Sequence, residues 1–316
     1  MADNQPELEI QIDLIRDAVA MCRRSLIRFG YKRESVNGAA KDPVRLLTYY
    51  YGVTRRLVTP RCRKVHKARD FTCPAKHHKA LTALELLITN GGDLSRHLST
   101  SPFRDLKDSD TLLKGWGVHH LHLGDKVVSK KGKNEGFVNR TNHVLLCHFT
   151  ETGAYFLEVI DHDSFEEPRV LDIIRANWPS LLSAHRLSGV TLYPANLSNE
   201  DTFNLTKAGY MTPVAAKDGS VYMPPGGGVS ASRDNRHDVT AATRLLTYLS
   251  DMEKTIVRHL QADREADRDS LANEPPIRML LCVDRGKYCV RDLDTDDLYE
   301  VPAPGVVSKM EGALAW

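Results

Sequence analysis

Between residues 8 and 29 apolar side chains recur every three to four positions, at Leu8, Ile12, Ile15, Val19, Cys22 and Ile27, with Asp, Glu and Arg between them. That spacing predicts an amphipathic helix. It begins acidic, ends on Arg23, Arg24 and Arg28, and stops at Gly30, the order that helix dipole and C-cap favour. A second helix is expected after Pro43, with Leu46, Leu47, Tyr50 and Tyr51 on its apolar side. A third runs through Leu81, Leu84, Leu87 and Ile88 and closes at Asn90-Gly91-Gly92.

The period changes after Asp110. Residues 116–124, 143–149 and 154–162 are short apolar or alternating runs separated by Gly- and Lys-rich turns, which predicts an antiparallel meander. Residues 167–176 follow as a helix, ended by Asn177-Trp178-Pro179. Further on, 210–223 reads as a hairpin turning at Asp218-Gly219, 237–262 as a long helix, and 263–276 as a linker. Two strands, 277–283 and 287–293, come last. The expected fold class is α+β. Its parts are a helical basic region (1–104), a central antiparallel meander with a packed helix (105–194), and a C-terminal region of hairpin, long helix and small sheet (195–316).

Six cysteines in 316 residues are too sparse for a disulfide framework. No run approaches the ~20 apolar residues of a membrane span, and the acidic start is unlike a signal peptide, so a cytoplasmic protein without a membrane partner is expected. The net charge of +2 conceals a segregation. Residues 21–80 carry sixteen Lys/Arg against three acids, +13, which leaves −11 for the remainder. A block of that size attracts polyanions, and nucleic acid is the expected partner, with Arg55, Arg56, Arg61, Arg63, Lys64, Lys67 and Arg69 as its contacts. Docking on the chain's own acidic surface and an acidic protein partner are the alternatives.

Three groups of residues suggest chemistry. Cys62, His66, Cys73 and His77 offer thiolates and imidazoles within one basic segment, a ligand set for zinc or another divalent metal. Gly226, Gly227 and Gly228, with Arg233 behind them, stand between a strand and a helix, where backbone N–H groups can cradle phosphate. The most informative group is the six histidines between 119 and 162. Strand alternation puts His120 and His122 on one face and His119, Leu121 and Leu123 on the other. Arg140 precedes the second strand, Glu158 and His162 share a face of the third, and Asp161 or Asp163 can orient an imidazole.

Neighbouring imidazoles can act as general acid and base beside a phosphate or hold a metal that activates water. A basic helical start followed by a meander with Arg and His near its strand ends resembles, over residues 105–178, the core of the RelE/ParE-type toxin ribonucleases. The resemblance implies a small sheet packed on N-terminal helices and metal-free RNA cleavage with the 2′-hydroxyl as nucleophile. His120, His122, Arg140 and His162 would then be the acid/base and phosphate-binding groups, with Glu158 among the catalytic side chains. A toxin- or defence-like ribonuclease is the leading expectation. The alternative is a non-catalytic nucleic-acid-binding regulator or defence-system subunit with a structural or zinc-binding histidine cluster.

Overall fold

The computed structural model describes residues 10–107, 110–162, 167–193, 197–208, 210–265, 276–284 and 287–300. Asp163 and residues 266–275 of the expected linker 263–276 lie outside them. The helices are α1 (Leu14–Phe29), α2 (Arg33–Ala39), α3 (Pro43–Arg56), α4 (His78–Thr89), α5 (Thr111–Trp116), α6 (Glu167–Asn177), α7 (Asn199–Ala208) and α8 (Arg236–Glu265). The strands are β1 (Ile10–Gln11), β2 (Lys64–Lys67), β3 (Val118–His122), β4 (His143–Phe149), β5 (Gly153–Asp161), β6 (Arg186–Leu187), β7 (Val214–Ala215), β8 (Val221–Tyr222), β9 (Ile277–Asp284), β10 (Lys287–Asp292) and β11 (Leu298–Glu300). The fold class is α+β, and the meander, the helix after it, the hairpin and the long helix fall where the hydrophobic pattern puts them. No helix among the described residues is long and apolar enough to cross a membrane. All six cysteines are free thiols.

The chain divides differently from the three consecutive regions expected. One unit combines residues 1–50 with 240–316, and the other is the continuous stretch 51–239. In the first, β1 pairs in parallel with β9, so that Ile10 stands opposite Ile277, and the sheet order is β1-β9-β10-β11. Helix α1 is tied to the same strand by the Leu281 N–H, which donates to Asp17 at 2.9 Å. Its first turn is held by the Leu14 N–H, which donates to Glu253 of α8 at 2.9 Å.

The second unit is built on a sheet of order β2-β5-β4-β3. Strands β3, β4 and β5 form the expected antiparallel meander, and β2 adds to the outside of β5 in parallel. Each sheet face is covered. Leu121, Leu145, Cys147, Ala154 and Phe156 pack with Leu81, Leu84 and Ile88 of α4. On the opposite side Val118, Val144 and Leu146 pack with Leu112 and Trp116 of α5 and with Val170, Leu171 and Ile174 of α6. Each fully buried Leu, Ile or Phe contributes roughly 1.5–3 kcal/mol, so these two layers fix the strand register: a slip of one residue would exchange the faces.

Two local devices determine what the second face presents. The register shifts between Leu146 and Cys147, so that Leu146 faces Glu158 while Cys147 faces Phe156. This bulge aligns Glu158 and Ile160 with the side that carries His120 and His122. The second device is the α5–β3 joint. Asp110 caps α5 by accepting from the Leu113 N–H at 2.9 Å. Gly117, at φ 66°, ends the helix in the left-handed region that favours glycine, one residue before β3 starts.

Candidate functional site

Three of the clustered histidines converge at one end of the second unit's sheet. His120 and His122 project from β3 on the face that alternation assigns them, with ring centroids 6.0 Å apart. His162 follows β5, its backbone N–H donating to the Asn142 carbonyl at 2.7 Å. Its ring lies 5.7 Å from that of His120 and 5.7 Å from that of His122, stacked on the latter. Each imidazole offers one nitrogen, and the three nitrogens lie within 4.8 Å of one another. Among the described residues this is the one group of three or more His, Cys, Asp or Glu side chains that close together, and it could hold a metal ion. His122 is buried, His120 half-buried and His162 exposed, so the group opens to solvent on the His162 side.

The surroundings order these rings. Asp110 places Oδ2 3.6 Å from Nδ1 of His120. His97 uses Nδ1 to contact the backbone carbonyl of His122 at 2.9 Å. Arg140 is tethered through Nη1 to the Leu98 carbonyl at 3.0 Å and lies over the Phe137 ring. Its charge acts on both His120 and His122. Burial, reinforced by Arg140 and the neighbouring imidazoles, pushes the His122 pKa down to about 3, which keeps that ring neutral, the ligand form. His120 is also lowered, chiefly by burial, with the Asp110 carboxylate opposing the shift. His119 points the other way, edge-on to Phe149, and burial brings it down to about 3. A cleft of ≈ 350 Å³ lies beside the triad, lined by Arg56, Ser101, Asp110, His120, Leu146 and His162 among others.

Several expected site residues serve other purposes. Glu158 is buried and accepts from Nε of Arg169 at 2.7 Å, so the carboxylate is neutralised by α6. Asp161 contacts Nε2 of His143 at 3.3 Å and not the triad. Cys62, His66, Cys73 and His77 do not assemble as a metal site: His66 stacks on Tyr155, the Cys73 thiol contacts the Pro74 carbonyl, and His77 packs against His143. The spacing fails because β2 and the turn before α4 send these side chains in different directions.

The glycine run forms no phosphate cradle. The N–H groups of Gly226, Gly227 and Gly228 donate to the carbonyls of Gly115, Pro224 and Lys114, so none is left to cradle phosphate. The Arg233 carbonyl accepts from the Lys114 ammonium at 3.4 Å, and its N–H donates to Ser230, which makes this loop a brace for α5.

The basic contacts divide by burial. Arg55 forms a two-pronged ion pair with Asp238, with Nη2 at 2.9 Å from Oδ2. Arg56 is buried among backbone carbonyls. Arg63, also buried, donates to Thr150 and Thr59 and lies over Phe149. All three brace the fold and none is a surface contact for a polyanion; Arg56 alone also lines a cleft. Arg61, Lys64, Lys67 and Arg69 are exposed, Lys67 beside Glu85 at 2.6 Å. In the strand register Lys64 and Lys67 stand opposite Gly153 and Phe156 of β5, about 20–30 Å along the strand from His162 at 3.3 Å per residue.

Asp110 and His97 also belong to the site, and sequence reasoning misses both. Asp110 had a signal, an acidic residue directly before the helical stretch Thr-Leu-Leu-Lys. His97 had none, because its role depends on a contact across 25 positions. No protein-family model, curated protein or solved structure matches the chain.

Proposed function

We propose that the protein is a nuclease, with RNA the first substrate to test, whose centre is a divalent metal held by His120, His122 and His162. The observation that supports this reading is the convergence of three imidazole nitrogens within 4.8 Å, with one ring exposed. Zinc binds histidine nitrogen at about 2.0–2.1 Å, so closure of the nitrogens from within 4.8 Å to about 3.4 Å of one another would satisfy one tetrahedral ion. Structural zinc sites take four protein ligands, whereas catalytic sites take three and leave a position open. Three histidines with a solvent-facing side match the second pattern, which favours catalysis over the structural-zinc alternative.

The metal-free mechanism fits this arrangement less well. A general base and a general acid each approach an oxygen at about 2.6–3.2 Å, from opposite sides of the phosphorus. Nitrogens clustered at one point leave no room for a phosphate between them. When bound, the metal would supply an activated water and a Lewis acid for the phosphoryl oxygen. The chain's own groups do the rest. Asp110 orients His120, the His97 contact fixes the backbone at His122, and Arg140 offsets negative charge on the phosphate. The exposed basic residues around β2 give the polyanion a second foothold.

The test is metal analysis of protein purified without chelators, beside incubation with total RNA and single-stranded DNA. The expected results are bound metal near one equivalent, and cleavage that EDTA stops and added zinc or manganese restores. His120→Ala with His122→Ala should abolish both while the circular dichroism spectrum is retained. Cleavage that persists in EDTA would return the reading to metal-free acid–base chemistry. Salt-sensitive binding without turnover under any metal would support the non-catalytic alternative.

A further inference from the structure

The cleft beside the triad is lined by a cation that the metal reading does not use. Arg56 closes α3 and is only 2% exposed. Its Nε donates to the Gly52 carbonyl at 3.1 Å, and its Nη2 to the carbonyls of Asp105 and Leu106 at 2.8 Å and 3.0 Å. Nη1 is buried with no hydrogen-bond partner. Among the described residues no carboxylate pairs with this guanidinium, whereas Arg55, one position earlier, has Asp238.

A guanidinium cannot shed its proton, and a buried charge held only by neutral carbonyls is costly. An arginine left in this condition at a cleft wall suits an anion from outside, which Nη1 can meet with a charge-assisted hydrogen bond. The rest of the lining refines the choice. Leu112, Val144 and Leu146 form an apolar wall, and Ser99 and Ser101 stand at the polar side. At ≈ 350 Å³ the space lies at the small end of ligand pockets, about 300–1,000 Å³.

We propose that this cleft binds one unpaired nucleotide, its phosphate on Arg56 and its base against the Leu112–Val144–Leu146 wall. The inference rests on the nuclease reading in that it names what the metal centre acts on, a single-stranded substrate. The binding itself needs no metal.

The experiment is calorimetric titration of the full chain in EDTA with AMP, adenosine and inorganic phosphate. AMP is expected to bind at least tenfold tighter than adenosine, and phosphate alone more weakly than AMP. Arg56→Lys, its folding checked by thermal melting, is expected to bring AMP down to the level of adenosine. Equal affinity for AMP and adenosine in the wild type, or an unchanged ratio in Arg56→Lys, overturns the proposal. Should Arg56→Lys not fold, the imidazole resonances of His120 and His162 decide in the wild type. AMP should shift both, and binding that shifts neither overturns it. A chain that retains no metal refutes the metal centre and leaves every arm of this titration readable.

Discussion

The carboxylate of Asp110 serves two elements at once: Oδ1 caps α5 through the Leu113 N–H at 2.9 Å, and Oδ2 lies 3.6 Å from Nδ1 of His120. A carboxylate behind a ligating imidazole fixes its tautomer and raises its basicity, and loss of such a partner costs about 10–100-fold in metal affinity or activity. Asparagine caps helices as well as aspartate, so Asp110→Asn separates the two roles. The expected outcome is a melting temperature close to wild type with metal affinity and cleavage reduced by about 10–100-fold, read from metal titration and RNA turnover. A variant that loses stability but keeps its metal would assign Asp110 to the helix alone.

His119 and His122 are both held down to about 3 by burial, against an ordinary value near 6.5. Between those values the unfolded chain binds more protons, so stability rises with pH, is complete above about 6.5 and declines as pH falls toward 3. Each group accounts for about 2 kcal/mol between pH 7 and pH 5. Denaturant melts of metal-free protein should show a loss of at least that size, and His119→Leu should remove about 2 kcal/mol of it. An equally steep decline in the variant would mean that neutral His119 is not a source of the acid sensitivity.

Gly226 lies where the brace meets α5. A Cβ there would press on the carbonyls of Leu113 and Lys114 and on the backbone nitrogen of Gly117. None of these is the end of a flexible side chain, so the joint itself must move. Gly226→Ala is expected to destabilise by about 1–3 kcal/mol, and to reduce cleavage beyond the loss of folded protein because β3 begins one residue after the displaced Gly117. Gly38, whose surroundings are open and whose φ is not positive, is the control position. Calorimetry and turnover on both variants make the comparison.

The basic residues make opposite predictions according to burial. Arg61→Glu with Lys64→Glu should leave the melting temperature within a degree or two, weaken RNA binding, and reduce the salt slope by roughly one unit for each phosphate left unneutralised. Arg63→Ala should instead cost about 1–3 kcal/mol of stability, since it leaves the Thr150 and Thr59 carbonyls without their donor. Salt-dependent binding that is unchanged in the double variant would remove the β2 margin from the nucleic-acid surface.

What could be read beforehand follows the range of each interaction. Alternation along β3 is local, and it assigned His120 and His122 to one face before any partner strand was known. The meander was legible because its connections are short. Strand β2 was not, since Lys64–Lys67 carries charges at both ends and becomes a strand only by pairing with β5, some ninety positions later. Arginine content conveys charge but not burial. Arg56, Arg61 and Arg63 are similar in sequence, and only packing separates two internal donors from one surface cation. The Cys/His spacing near residue 70 suggested a site that the turns disperse, because ligand counting carries no information about direction.

The pairing of Ile10 with Ile277 has a consequence for synthesis. A ribosome adding 5–20 residues per second takes roughly 13–50 s to pass from one to the other. Throughout that interval the first helix has its apolar stripe and no strand to bury it, whereas the stretch 51–239 is complete about 2–8 s before Ile277 is added. The nascent protein should therefore gain its histidine-bearing half first and remain exposed to chaperone binding through its amino-terminal segment until the final strands arrive.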